Sequence, residues 1–330
     1  MKSKNFHLTR RGVAALALAG LAAGPAAWAQ DAQPLTIIVP YAAGGPSDIS
    51  ARRIAPHLSK VLNKPVVVQN MAGAGGAIGA QKLLSSPPDG RTLFYGSPNE
   101  LILVPALNAA IKYKPEEFVP VGFASRTPMI LVARTGLPMK NPDELQKYAK
   151  AATRELTYGS VGAGSLQHVL GAHVGALMGV KLLHVPYKGA APMNNDLLGQ
   201  QVDLAVTTLS GGTLGYVEGG KMTPLALLTR ERSPLAPSLP TAQESHALKG
   251  ADFTIWGGLF VLAGTPAPLV ESLQAAFREA IAVTTLRAGI QAGGGEPMPP
   301  MTAADQQKLY RDDAARYAKL VKDLNIRIDQ

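Results

Sequence analysis

The chain of 330 residues carries 32 Lys and Arg against 23 Asp and Glu, a formal net charge of +9, with 46% hydrophobic residues and no cysteine. The missing cysteines exclude disulfides, thiol catalysis, Cys-ligated metal and a lipid-anchored N-terminal Cys, and a chain this long builds a core large enough without disulfides. No stretch beyond the N-terminus is long and apolar enough to cross a bilayer, and the basic residues are too scattered for a nucleic-acid footprint.

The first segment changes what counts as the mature protein. Lys2, Lys4, Arg10 and Arg11 precede the apolar run Val13 to Ala23, and Ala27-Trp28-Ala29 supplies a small-x-small cleavage site. Residues 1–29 thus read as a secretory signal peptide, and the mature chain is expected to start at Gln30 outside the cytoplasm. Thr9-Arg10-Arg11 leaves the twin-arginine route open beside the general secretory one. Removing the signal leaves 28 basic residues against 23 acidic and lowers the net charge from +9 to +5, a mild excess that suits an anionic small molecule. A mature chain of about three hundred residues suggests two lobes.

Leu35 to Val39 is a continuous β-branched run, short enough for one buried parallel strand. Pro40 to Asp48 then forms a turn with two glycines, and Ile49, Ile54, Leu58, Val61 and Leu62 share one face of a helix running to Leu62. Strand, glycine turn and helix start leave several N–H groups aimed at one spot with the helix dipole behind them, a device that binds anions. Pro65 to Val68 predicts a second strand, Ala77 to Leu84 a helix, and Thr92 to Ser97 a third strand; this alternation indicates parallel βαβ units whose ligands gather at the carboxyl ends of the strands.

Val119 to Arg134 is a longer β-rich segment interrupted at Pro128, and Asn141-Pro142-Asp143-Glu144 is a strong helix start. After the strand at Leu156 to Tyr158, the stretch Gly159 to Ser165 repeats the glycine-turn device and opens a helix from Leu166 to Met178. Strands follow at Leu182 to Val185, Val202 to Thr207 and Pro224 to Thr229, then a second long β-rich segment at Phe253 to Ala263 and three closing helices. The two long segments bracket a self-contained α/β block. The predicted architecture is therefore a clamshell: residues 30–127 with 249–330 as the first lobe, 128–248 as the second, and two crossing strands as the hinge.

Other chemistry finds little support. Gly73 to Gly79 departs from the dinucleotide fingerprint at Ile78, and Gly215 to Lys221 is followed by Met222 where a phosphate-binding loop needs Ser or Thr. No Gly-x-Ser-x-Gly elbow is present, and the histidines lack metal-ligand spacing, so neither metal nor cofactor is expected. His168 is a helix-surface or core histidine, or else reaches the cleft. Asp48 is a brace for the turn or a contact for a ligand ammonium, and Asp203 has the same two readings. Arg126 is a cation for a second ligand carboxylate or a solvated arginine. Trp256 is core or a stacking surface.

Val39 to Asp48 with Ala51-Arg52, Gly73 to Gly76 with Ile78-Gly79, Pro88-Asp89-Gly90, Tyr158-Gly159-Ser160 with Gly164-Ser165 and His168, His184 to Gly189, Gln201-Val202-Asp203 and Gly264-Thr265-Pro266 resemble, in order, the Bug family of receptors of tripartite tricarboxylate transporters. The resemblance implies a monomeric periplasmic receptor with the type II, Venus-flytrap fold of periplasmic binding proteins. It also implies a small carboxylate held by backbone amides and bridging water, and the transporter's membrane subunits as partners. Carried over residue by residue, the site comprises Tyr41, Ala43, Gly44, Ser47, Asp48, Ala74, Gly75, Ser97, Ser160, Gly164, Ser165, His168 and Thr207, to which Arg126 is added from its position. The chain departs from the family pattern at Ser97-Pro98-Asn99-Glu100, where a glycine-rich continuation is commoner. Two other functions stay open: a sensor serving a membrane signalling partner, and an exported α/β hydrolase using Ser160 or Ser165.

Overall fold

The structure, a computed structural model, describes residues 33–328; the signal-peptide expectation lies outside the described residues. Leu35–Val39 (β1), Pro46–Leu62 (α1), Val66–Asn70 (β2), Ala77–Leu84 (α2) and Thr92–Gly96 (β3) come first. A π-helical turn over Asn99–Leu103 runs into Val104–Leu107 (α3), followed by Phe118–Arg134 (β4). Pro142–Ala151 (α4), Leu156–Ser160 (β5), Leu166–Met178 (α5), Leu182–Pro186 (β6), Ala190–Leu198 (α6), Leu204–Thr208 (β7), Gly211–Glu218 (α7) and Met222–Leu227 (β8) form a second alternating block. The chain returns through Thr254–Leu262 (β9) and ends with Ala267–Ile281 (α8), Thr284–Ala292 (α9), Glu296–Pro297 (β10) and Ala303–Asp323 (α10). None of the helices described is long and apolar enough to cross a membrane.

One strand belongs to two sheets. The first part of β4 pairs antiparallel with β9, from Phe118 opposite Leu262 to Pro128 opposite Thr254. From Met129 onward β4 lies between β7 and β8 instead. The first sheet is ordered β2-β1-β3-β9-β4 and the second β6-β5-β7-β4-β8, so the same arrangement occurs twice. Within each sheet, the first strand of the unit is parallel to both of its neighbours.

The interruption expected at Pro128 does not occur; the strand runs unbroken for 17 residues. Proline has no N–H for a ladder, and Pro128 sits where β4 exchanges one set of neighbours for the other. The missing donor therefore falls at the junction and not in the body of either sheet. The Pro128 carbonyl is used, accepting the Leu209 N–H at 2.8 Å.

The faces of both sheets are covered by helices, as parallel strands require. On one face of the first sheet, Ile37, Val39 and Leu259 pack with Ile54 and Leu58 of α1 and Phe277 of α8. The inward face of α1 is Asp48, Ala51, Ile54, Ala55 and Leu58, a spacing of three and four, which leaves Ile49 42% exposed and not in the core as expected. A second cluster is continuous across both sheets, joining Phe94, Phe118 and Tyr310 to Leu131, Tyr158, Val169 and Leu204. Trp256 lies in it at 3% exposure, edge-on to Phe123 and Tyr310, with its indole N–H donating to Asp313 at 2.8 Å, so it is a core residue.

At the amino-terminal edge of the second sheet, Asp203 accepts both guanidinium nitrogens of Arg154 at 2.6 and 2.8 Å, Arg134 at 3.2 Å and the Thr157 N–H at 3.0 Å. This buried carboxylate ties β4, β5 and β7 together, at the opposite end of the strands from the glycine turns.

Candidate ligand-binding site

Parallel strands place their following loops on one edge. In the first half these are the Pro40 to Gly45 loop after β1, the loop from Met71 to Gly76 after β2, and Ser97 after β3. The helices they open, α1 and α2, have glycine N-caps, Gly45 and Gly76, with no side-chain acceptor for the first-turn amides. Such amides are unsatisfied within their own helix and carry the positive end of its dipole. Ser47 lies in the first turn of α1, and neither Ser47 nor Asp48 is the cap. Ala43, Gly44, Ala74 and Gly75 are exposed.

Asp48 braces this edge. Its carboxylate accepts the Gly44 N–H at 2.9 Å, Arg52 at 3.1 Å and the Asn70 amide at 2.9 Å, while Asn70 also donates to the Tyr41 carbonyl at 3.0 Å. Burial alone would raise its pKa; the Gly44, Arg52 and Asn70 hydrogen bonds more than offset it and hold the group below the ordinary range. Its oxygens are engaged within the protein.

Tyr41 and Ser97 come together around a residue that motif reading did not select. The Tyr41 hydroxyl donates to one Glu100 oxygen at 2.6 Å, the Ser97 hydroxyl donates to the same oxygen at 2.9 Å, and the Ser97 N–H donates to the other. Glu100 is fully buried, and burial raises its carboxyl to about 7 against the opposing hydrogen bonds from Tyr41 and Ser97. Gly76 makes room for it: at φ +99°, a Cβ there would lie 2.6 Å from Glu100 Cβ. The adjacent Asn99 spans to the second half, its side-chain oxygen accepting the Leu166 N–H at 2.8 Å. The only signal for these residues in the sequence was the departure from the family pattern at Ser97 to Glu100.

The second half is built differently from the expected twin. Ser165 is the N-cap of α5 and accepts the His168 N–H at 3.3 Å, while its hydroxyl donates to the Gly162 carbonyl at 2.7 Å. With Asn99 on Leu166, two of the first amides of α5 are already satisfied by side chains. Gly164 donates its N–H to His168 Nδ1 at 3.2 Å, which places the ring proton on Nε2. Ser160 is fully buried, its Oγ 2.7 Å from His184 Nε2 and 3.0 Å from the Gly162 carbonyl. The His168 and His184 rings stack at 3.8 Å; burial lowers both, and His184 falls to about 4 through burial and the neighbouring His168. The open helix start of this half is α6, whose N-cap Gly189 has no side-chain acceptor and whose third residue is Pro192, so Ala190 and Ala191 offer the amides.

Thr207 is buried within β7, opposite Ile130. Arg126 is 55% exposed and pairs with Glu296 at 3.0 Å, a partner from the protein itself. Two surface depressions, of about 330 and 400 Å³, lie elsewhere: one is lined by His173, Arg230 and Arg316, the other by Asn141, Asp143 and Glu244. Among the described residues no cluster could hold a metal ion.

The family model described as "Tripartite tricarboxylate transporter family receptor" matches residues 50–326. Protein BugT of Bordetella pertussis is 31% identical over 318 residues, covering 95% of this chain and 96% of BugT. MatC of Rhodopseudomonas palustris with bound malate superposes with a TM-score of 0.78 at 30% identity, covering 87% of this chain and 98% of MatC. R. palustris Rpa4515 with adipate gives 0.81 at 30% identity, covering 91% and 99%. These structures share the periplasmic-binding-protein fold, and the chain belongs to the tripartite tricarboxylate transporter receptor family.

Proposed function

We propose that this chain is an extracytoplasmic solute receptor that captures a small organic carboxylate and presents it to the membrane subunits of a tripartite transporter. The observation that carries this reading is the Asn99–Leu166 hydrogen bond. It joins the turn after β3 in the first half to the start of α5 in the second, and this juxtaposition supports a ligand site between the two sets of strand-end loops. The amides at the starts of α1, α2 and α6 supply the donors. A charge-assisted hydrogen bond contributes about 1.5–3 kcal/mol net, and a few of them suffice for micromolar affinity, about −8 kcal/mol, after ordering costs. Relatives named with malate and with adipate support the ligand class. Residues 33–127 with 249–328 would move as one lobe and 128–248 as the other, bending where β4 changes sheets, with the receptor working as a monomer in the periplasm.

The close Ser160–His184 pair favours a second reading, an exported hydrolase, on geometry alone. Against it, Ser160 is fully buried and its hydroxyl is engaged with Gly162, and His184 is held well below the range of a general base working near neutral pH. Isothermal titration of the purified mature protein with a panel of carboxylates, sugars and metal ions tests the receptor reading. Heat from at least one carboxylate, with a melting point that rises with its concentration, is the expected result. Response to sugars or metals alone, or ester turnover abolished by Ser160→Ala, would overturn it.

A further inference from the structure

Three donors at the inner end of the first-half site converge on one point: the Tyr41 hydroxyl, the Ser97 hydroxyl and the Ser97 N–H. A two-oxygen anion is the shape they fit, and the protein supplies that anion itself. The Glu100 side chain enters from the π-helical turn after β3, and the bare face of Gly76 closes over it. Tyr41 and Ser97 are among the residues that the family resemblance assigned to the ligand, yet here both hold Glu100. We propose that the Glu100 carboxyl group is a resident occupant of this inner carboxylate subsite, and that it thereby restricts the receptor to monocarboxylates.

The inference rests on the receptor reading and narrows its substrate class. A ligand carboxylate can still take the amides at the starts of α1, α2 and α6, whose glycine N-caps offer no side-chain acceptor. A second carboxylate reaching the inner end would find its donors used and would meet Glu100. The groups packed against Glu100 are uncharged: Tyr41 from the loop after β1, Ser97 from the end of β3, and Tyr113, whose hydroxyl donates to the Glu100 carbonyl at 2.7 Å. Tyr95 and Tyr310 also sense its charge and are themselves neutral, their hydroxyls pushed up chiefly by burial. Among the described residues no cation is bonded to the Glu100 carboxylate, so its ionisation is uncompensated there and an anion bound beside it is repelled more strongly as pH rises. Because the carboxyl is fully buried with three donors on it, it fills the subsite and does not project toward a ligand ammonium.

Hexanoate, adipate and 6-aminohexanoate share one carbon chain and differ at the far end, so titration of the wild type with all three reads the subsite directly. Wild type is expected to bind hexanoate at least tenfold more tightly than either of the others. Glu100→Ala, which empties the subsite, should bring adipate to within a few-fold of hexanoate or beyond it. Glu100→Gln, which keeps the shape, should keep the preference but lose the several-fold weakening of hexanoate binding that wild type shows from pH 6 to 8. Wild type binding adipate as tightly as hexanoate, preferring 6-aminohexanoate, or retaining its preference unchanged in a folded Glu100→Ala overturns the proposal and leaves the receptor reading standing. Should Glu100→Ala fail to fold, the wild-type preference and the Glu100→Gln pH profile still decide. Binding of no carboxylate by wild type defeats the receptor reading, and the proposal with it.

Discussion

Glu100, fully buried, and His184, half-buried, are titratable groups whose pKa values are displaced in opposite senses, and their effects on stability oppose each other over the same pH range. The Glu100 carboxyl sits at about 7, not 4.5, because burial disfavours its charged form. The folded protein holds that proton more tightly than the unfolded chain does. The stability it contributes is complete below about pH 4.5 and is lost as pH rises through 7, in total about 3 kcal/mol. His184 is lowered to about 4 by burial and by His168, so its contribution is present above the ordinary 6.5 and is lost as pH falls through 4. The stability advantage of wild type over Glu100→Gln should therefore shrink between pH 5 and 7.5. The advantage over His184→Asn should grow across the same interval. Urea unfolding at a series of fixed pH values reads both differences, and two flat lines would show that neither group is displaced.

At the scale of elements, the start of α5 and the passage of β4 between sheets matter most. The resemblance of the two glycine turns suggested two equivalent anion devices, but a helix start binds an external anion only if its amides are left open. Ser165 caps α5 from within, and Asn99 takes the Leu166 amide from the other half of the molecule. Asn99 therefore bridges the two halves. Asn99→Ala should speed hydrogen exchange at the Leu166 amide, while exchange in β1, β3, β5 and β7 stays as slow as in wild type. Unchanged protection at Leu166 would mean that the bridge does not hold the halves together in solution.

For the molecule as a whole, the sharing of β4 decides how independent the two halves are. The largest apolar cluster is continuous across the junction, joining residues such as Phe94 and Phe118 of the first sheet to Leu131 and Leu204 of the second. Separating the halves completely would expose that cluster, at roughly 25 cal/mol per Å² of apolar surface. Calorimetry of the ligand-free protein should accordingly show one cooperative transition whose calorimetric and van't Hoff enthalpies agree. Two resolved transitions would indicate lobes that fold separately.

Much of this molecule is determined by local sequence. Continuous β-branched runs, helical spacing and glycine turns mark the parallel units, and Asn141 caps α4 through the Glu144 N–H at 2.9 Å as its position implies. Strand-end loops are legible for the same reason: they depend on neighbours within a few residues. Whether a donor in such a loop is free depends on residues far along the chain, and only the tertiary structure settled that. Glu100 reaches Tyr41 across 59 positions, Asn99 reaches Leu166 across 67, and Arg126 finds Glu296 across 170. The unbroken passage of β4 through Pro128 is likewise a tertiary outcome, since the missing N–H falls where the strand changes partners. Sequence by itself determined where the donors lie, because backbone geometry is local; folding decided which of them the protein keeps for itself, because hydrogen-bond partners are not.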